Sequence, residues 1–161
     1  MSAARVSASW VVPFLLCAAS MPSAARADPD ACKLLTPAQV SAAVGAPVGG
    51  GTHVTPTYVK TCTWNASGKS NVKFVTLYLQ TSAAYDGGKR MAGQMAAMGK
   101  GGAVKPAGVG EDGYYFVAGS QVGLLVKKGG VSFKVAVYAT LPVGDKEAME
   151  LALAKEVLAK I

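Results

Sequence analysis

Hydrophobic and polar positions alternate most cleanly over 131–140. Val131, Phe133, Val135, Val137 and Ala139 fall on one side, and Ser132, Lys134, Ala136, Tyr138 and Thr140 on the other. That is the two-residue period of a strand. Two more short strands precede it, at 114–118 and 122–128. Gly119-Ser120 and Gly129-Gly130 separate the three, the second pair being a strong hairpin signal. The stretch 108–140 therefore reads as a three-stranded meander, ended by Pro142.

The pattern upstream predicts a hairpin. Residues 58–64 place Tyr58, Lys60, Cys62 and Trp64 on one face, and Asn65 to Gly68 make the turn. In 72–80, Val75, Leu77 and Leu79 alternate with Phe74, Thr76 and Tyr78, so both faces are partly apolar. This strand is expected to be central and covered on both sides.

Helical spacing appears in three places. Thr36-Pro37-Ala38-Gln39 is a capping box with proline at the first helical position, Leu35 and Val40 can form a staple, and Gly45 stops the helix. Ser82 is the expected cap of a helix over 83–98, whose stripe is Ala84, Gly88, Met91, Met95 and Met98. Gly87, Gly88 and Gly93 weaken that helix and make it the element most apt to move. Asp145 is the expected cap of a helix to Ile161 with Leu151, Ala154, Leu158 and Ile161 inward. The order α-β-β-α-β-β-β-α defines an α+β fold: an antiparallel sheet of about five strands covered by helices.

The N-terminus changes the picture. Arg5, the apolar run 10–19 and Ala25-Arg26-Ala27 have the form of a secretory signal peptide cleaved before Asp28. The expected organisation is a signal over 1–27 and a single α+β domain over 28–161, periplasmic or secreted, with no stable membrane span after cleavage. Leu15-Leu16 before Cys17 do not make a lipobox. The chain carries a formal charge of +7. Its lysines are scattered and few aromatics lie among them, which argues for a solvated surface and against nucleic acid.

Export also decides the cysteines. Of the three in the chain, Cys17 leaves with the signal. Cys32 and Cys62 are expected to pair as a disulfide, contributing roughly 3–4 kcal/mol by constraining the unfolded chain. Their separation has no CxxC signature, so a redox or metal pair is disfavoured.

Candidate chemistry is sparse. His53, the single histidine, lies in the glycine-rich loop 47–57. Met91 and Met95 lie on one helix face without a nearby Cys or His, a pattern that fits plastic packing better than a soft-metal site. Gly108-Val109-Gly110-Glu111-Asp112-Gly113 matches GxGxxG, but it leads into a strand, and Glu111 and Asp112 would repel phosphate. There is no GxSxG, no HExxH and no carboxylate cluster besides Glu111-Asp112. The expectation is a non-enzymatic domain without cofactor or metal, binding an unknown envelope ligand or protein through some of His53, Met91, Met95, Glu111, Asp112 and Tyr114. A flat exposed face bearing Tyr78, Tyr114 or Tyr138 would favour a protein partner, such as a target of inhibition or an assembly subunit. A hydrolase using His53 is the less favoured alternative.

Cys32-Lys33-Leu34-Leu35-Thr36, Cys62-Thr63-Trp64 and Gly108-Val109-Gly110-Glu111-Asp112 before Tyr114-Tyr115 together resemble motifs of small uncharacterised secreted or lipoprotein domains of bacteria. Those domains show C-x-LLT, C-x-W and GxGDxA in the same order. The layout is also similar to PsbP/Mog1-like extracytoplasmic domains. The resemblance implies binding or sensing, and its motifs are structural, so it transfers no catalytic residue.

Overall fold

The computed structural model of the chain describes residues 29–161, and the signal segment read over 1–27 lies outside them. The elements in order are α1 (Ala31–Leu34), α2 (Pro37–Val44), β1 (Thr52–His53), β2 (Thr61–Asn65), β3 (Val72–Thr81), α3 (Ser82–Ala97), β4 (Ala103–Pro106), β5 (Asp112–Ala118), β6 (Gln121–Lys128), β7 (Val131–Ala139) and α4 (Val143–Leu158). The fold is α+β, as the pattern of elements predicts.

The strands form one antiparallel sheet in the order β1-β2-β3-β7-β6-β5-β4. It is a hairpin and a meander joined along β3 and β7. Val75, Leu77 and Leu79 lie opposite Val137, Val135 and Phe133, so the apolar sides of both strands merge into one surface. The sheet has seven strands rather than five. The additional pair, β1 and β4, are short edges in Gly- and Pro-rich sequence, where the partner strand rather than local composition supplies the pairing. The β2 strand begins at Thr61, three residues later than expected.

Alternation along the meander assigns helices to faces. Tyr115 donates from its hydroxyl to the Glu147 carbonyl of α4, at 3.0 Å, and Lys105 pairs with the Glu147 carboxylate. Asp112, Tyr114 and Lys127 point the opposite way and meet α3 instead. One face thus packs on α1, α2 and α4, burying Leu35, Val40, Trp64, Leu77, Val135, Leu153 and Val157. The other face carries α3.

The capping box of α2 forms as expected: the Thr36 hydroxyl accepts from the Gln39 N–H, the Gln39 side chain accepts from the Thr36 N–H, and Gly45 closes the helix at φ 64°. The other two caps differ. Thr81, not Ser82, caps α3, because the strand runs one residue further and turns directly into the helix. Pro142 occupies the N-cap of α4 without a side-chain bond, and Asp145 sits in the first turn, where its charge suits the helix dipole.

The apolar stripe of α3 is rotated from its expected position, and that of α4 in part, since Ala154 is buried as expected and Val157 beside it. On α3 the buried side chain is Tyr85, while Met91, Met95 and Met98 are exposed. On α4 the buried residues are Lys146, Glu150, Leu153, Ala154 and Val157, with Leu151, Leu158 and Ile161 only half-buried. The true stripe keeps helical spacing, but two of its positions carry charge, so a hydrophobicity pattern passes over it.

Candidate functional site

The face opposite the main core falls into two parts. Near β5 it lies under α3. There the Tyr85 and Tyr114 rings meet at 5.3 Å, tilted by 60°. Lys89 donates to both Asp112 carboxylate oxygens at 2.8 and 2.7 Å, with its ammonium 5.7 Å from the Tyr114 ring centre. Lys127 reaches Asp86 at 2.9 Å across the Tyr85 ring. The Lys89 ammonium holds the Asp112 carboxyl below its ordinary range. Burial, and then the Asp112 charge, push the Tyr85 phenol up. The Tyr85 hydroxyl feels that charge but has no hydrogen-bond partner at bonding geometry. This cluster clamps α3 to the sheet and uses its charges internally.

Toward β2, β3 and β7 the same face is open. Phe74 and Tyr138 stack at 4.3 Å with planes 22° apart, both half-buried. Tyr78 is 37% exposed and Tyr58, beside it, 42%. The neighbouring Tyr58 hydroxyl, and then partial burial, raise the Tyr78 phenol. Thr61, Thr63 and Thr76 lie between these rings on the same side of the ladder. Two clefts flank Tyr138. One, of about 580 Å³, is lined by residues that include Lys73, Phe74, Gln121, Thr140 and Pro142. The other, of about 210 Å³, is lined by Phe116, Gly123, Lys134 and Ala136 among others. The Lys134 side chain crosses Gly123, its Cε 2.6 Å from where a Cβ would stand, and would have to swing aside for a larger residue. Among the described residues neither Lys73 nor Lys134 has an ion-pair partner. The open face offers aromatic rings, hydroxyls and ammonium groups.

At the far edge, His53 Nε2 lies 2.8 Å from Asp30 Oδ1, which also accepts from the Cys32 N–H. The His53 bond, followed by that N–H, lowers the Asp30 carboxyl despite partial desolvation. Cys32 and Cys62 are disulfide-bonded, as expected. His53 sits directly opposite Cys62 in the β1–β2 ladder.

The residues singled out from sequence do not converge. Tyr114 and Asp112 come together, but Tyr114 is buried under α3 and Asp112 is paired. Met91 and Met95 lie on the outer surface of α3. Glu111 is exposed, with its N–H bonded to the Lys127 carbonyl. The GxGxxG segment is a turn with Gly108 and Gly110 at φ 62° and 72°, and strand β5 follows it. His53 occupies the opposite end of the sheet from β5. Sequence reasoning missed Tyr85 and Asp30, and it missed the pair Lys146 and Glu150, whose four-residue spacing on an otherwise apolar helix stripe is the one available signal.

Lys146 and Glu150 are 1% and 0% exposed, facing β6 and β7. Lys146 Nζ donates to the Ser120 carbonyl, and Glu150 Oε1 accepts from the Val137 N–H. Burial pushes the Glu150 carboxyl up to about 7.

The chain was compared with protein-family profiles, with curated proteins and with solved structures, and it matches none of them.

Proposed function

We propose that the protein is a non-catalytic extracytoplasmic binding module, and that it holds a protein partner against the open sheet face of Tyr78, Phe74 and Tyr138. The observation that carries this reading is the aromatic, carboxylate-free half of the sheet that no element among the described residues covers beside α3. Aromatic rings supply contact area at low entropic cost and are enriched in protein interfaces. The neighbouring Thr61, Thr63 and Thr76 supply hydrogen bonds on the same face. Lys73 and Lys134 give the surface a positive potential, so the partner presents carboxylates there. The cleft beside Phe74 and Tyr138 accepts one anchoring side chain of the partner.

The signal-like sequence and the Cys32–Cys62 disulfide support an extracytoplasmic location. The lack of a histidine–nucleophile pair in either cleft supports a binding role. The reading keeps the PsbP/Mog1-like resemblance as a proposal about ancestry.

Native mass spectrometry of protein isolated from its own envelope tests this. The expected result is a retained protein, released by moderate salt and absent from a Tyr78→Ser/Tyr138→Ser variant that melts like wild type. Retention unchanged in that variant overturns the assignment of the face.

A further inference from the structure

The disulfide edge carries an inference independent of the open face. We propose that Asp30, Cys32, His53 and Cys62 form a redox-gated site for a zinc-class divalent cation, closed while the disulfide is intact. Donor atoms of Asp30, Cys32 and His53 lie within 4.8 Å of one another. Cys62 Sγ is bonded to Cys32 Sγ and so belongs to the same group. Two sulfurs, one imidazole and one carboxylate are a donor set suited to tetrahedral zinc. Asp30, Cys32 and His53 are half-buried, which leaves a route for a cation to enter.

The oxidised protein offers too few donors. Its sulfurs are bonded to each other, and Asp30 and His53 bond to one another through the proton between Nε2 and Oδ1. A dithiol reductant opens the site: it gives two electrons and two protons to the disulfide, yielding two thiols, and becomes a disulfide itself. The cation then displaces both thiol protons and takes the position between His53 Nε2 and Asp30, the single proton of the neutral imidazole moving from Nε2 to Nδ1. Two protons are released to solvent for each cation bound.

A second observation points to a thiolate at Cys62. Trp64 is fully buried and its indole N–H has no hydrogen-bond partner. Trp64 Nε1 and Cys62 Sγ lie 2.8 and 2.6 Å from the point where a Gly51 Cβ would stand. Both atoms border the same side-chain-free stretch of backbone at Gly51. A disulfide sulfur is a weak acceptor, whereas a metal-bound thiolate is a strong one to which the indole N–H can turn when the disulfide opens.

The full chain without its signal segment, reduced anaerobically with a phosphine, is titrated with Co²⁺ and then Zn²⁺. The expected result is one equivalent of Co²⁺ bound with a thiolate-to-cobalt charge-transfer band, displaced by Zn²⁺, and no such band in the oxidised protein. His53→Ala and Asp30→Ala, both of which retain the disulfide for folding before reduction, lower the reduced protein's Zn²⁺ affinity at least about tenfold. Circular dichroism follows the fold throughout. Absence of the band overturns the proposal, whether the reduced protein stays folded or unfolds without recovery on adding Zn²⁺. Unchanged affinity in both Ala variants also overturns it, since the two thiols would then act alone.

Discussion

Glu150 Oε1 accepts a hydrogen bond of 2.9 Å from the Val137 N–H, so a helix carboxylate closes a gap in the sheet. The β6–β7 ladder runs from Lys128 opposite Val131 to Leu124 opposite Val135, and it stops there. Beyond that point β7 continues against β3 alone. An orphan buried N–H at Val137 would cost about 1–3 kcal/mol, and Glu150 removes that cost by taking a carboxyl group out of water.

The exchange makes stability depend on pH. The Glu150 carboxyl is raised from 4.5 to about 7 on folding, so the native state binds the extra proton. Stability is therefore highest at acid pH and falls as pH rises from the unfolded value through 7, by about 3 kcal/mol from this group. Glu150→Gln keeps the acceptor and removes the charge. Urea melts are expected to show the variant more stable than wild type at pH 8 and equal to it near pH 5.

Lys146 tunes that titration. Burial raises the Glu150 carboxyl; the Val137 N–H, then the Lys134 charge, then the Lys146 ammonium, which donates to the Ser120 carbonyl, lower it. Lys146→Met is expected to cost about 2 kcal/mol near neutral pH. It should also move the midpoint of the stability–pH curve upward. A double-mutant cycle with Glu150→Gln measures the coupling.

Tyr85 is the one buried side chain of the α3 helix. Tyr85→Ala removes the buried ring against Tyr114 and is expected to cost about 3 kcal/mol. Met91→Gln and Met95→Gln change solvent-facing positions and should stay within about 0.5 kcal/mol of wild type. Equal effects from Tyr85 and the methionines in thermal melts would refute this account of the helix.

Gly51 is a packing requirement of the disulfide edge. A Cβ there would meet Cys62 Sγ at 2.6 Å and the Trp64 indole at 2.8 and 2.9 Å. Gly51→Ala is expected to destabilise the oxidised protein by about 1–3 kcal/mol. Gly50→Ala, next to it in open space, should be neutral by the same denaturant melts.

Much of the fold was legible along the chain because local chemistry dictates it. Thr36, Pro37 and Gln39 specify a helix start without reference to anything distant. The alternation over 131–140 and the Gly129-Gly130 turn specify β7 and its hairpin in the same way. The Cys32–Cys62 bridge followed from there being two cysteines beyond the segment with the form of a signal peptide. Tertiary structure alone decided what these elements face. Strands β1 and β4 exist because a neighbour pairs with them, and α3 turns Tyr85 rather than its methionines inward because Tyr114, Asp112 and Lys127 wait on the sheet. Glu150 is buried because a strand gap offers its carboxylate an N–H, and Asp30 meets His53 because β1 folds back beside Cys62. Each of these depends on a partner distant in sequence, and no local propensity or period encodes such a partner.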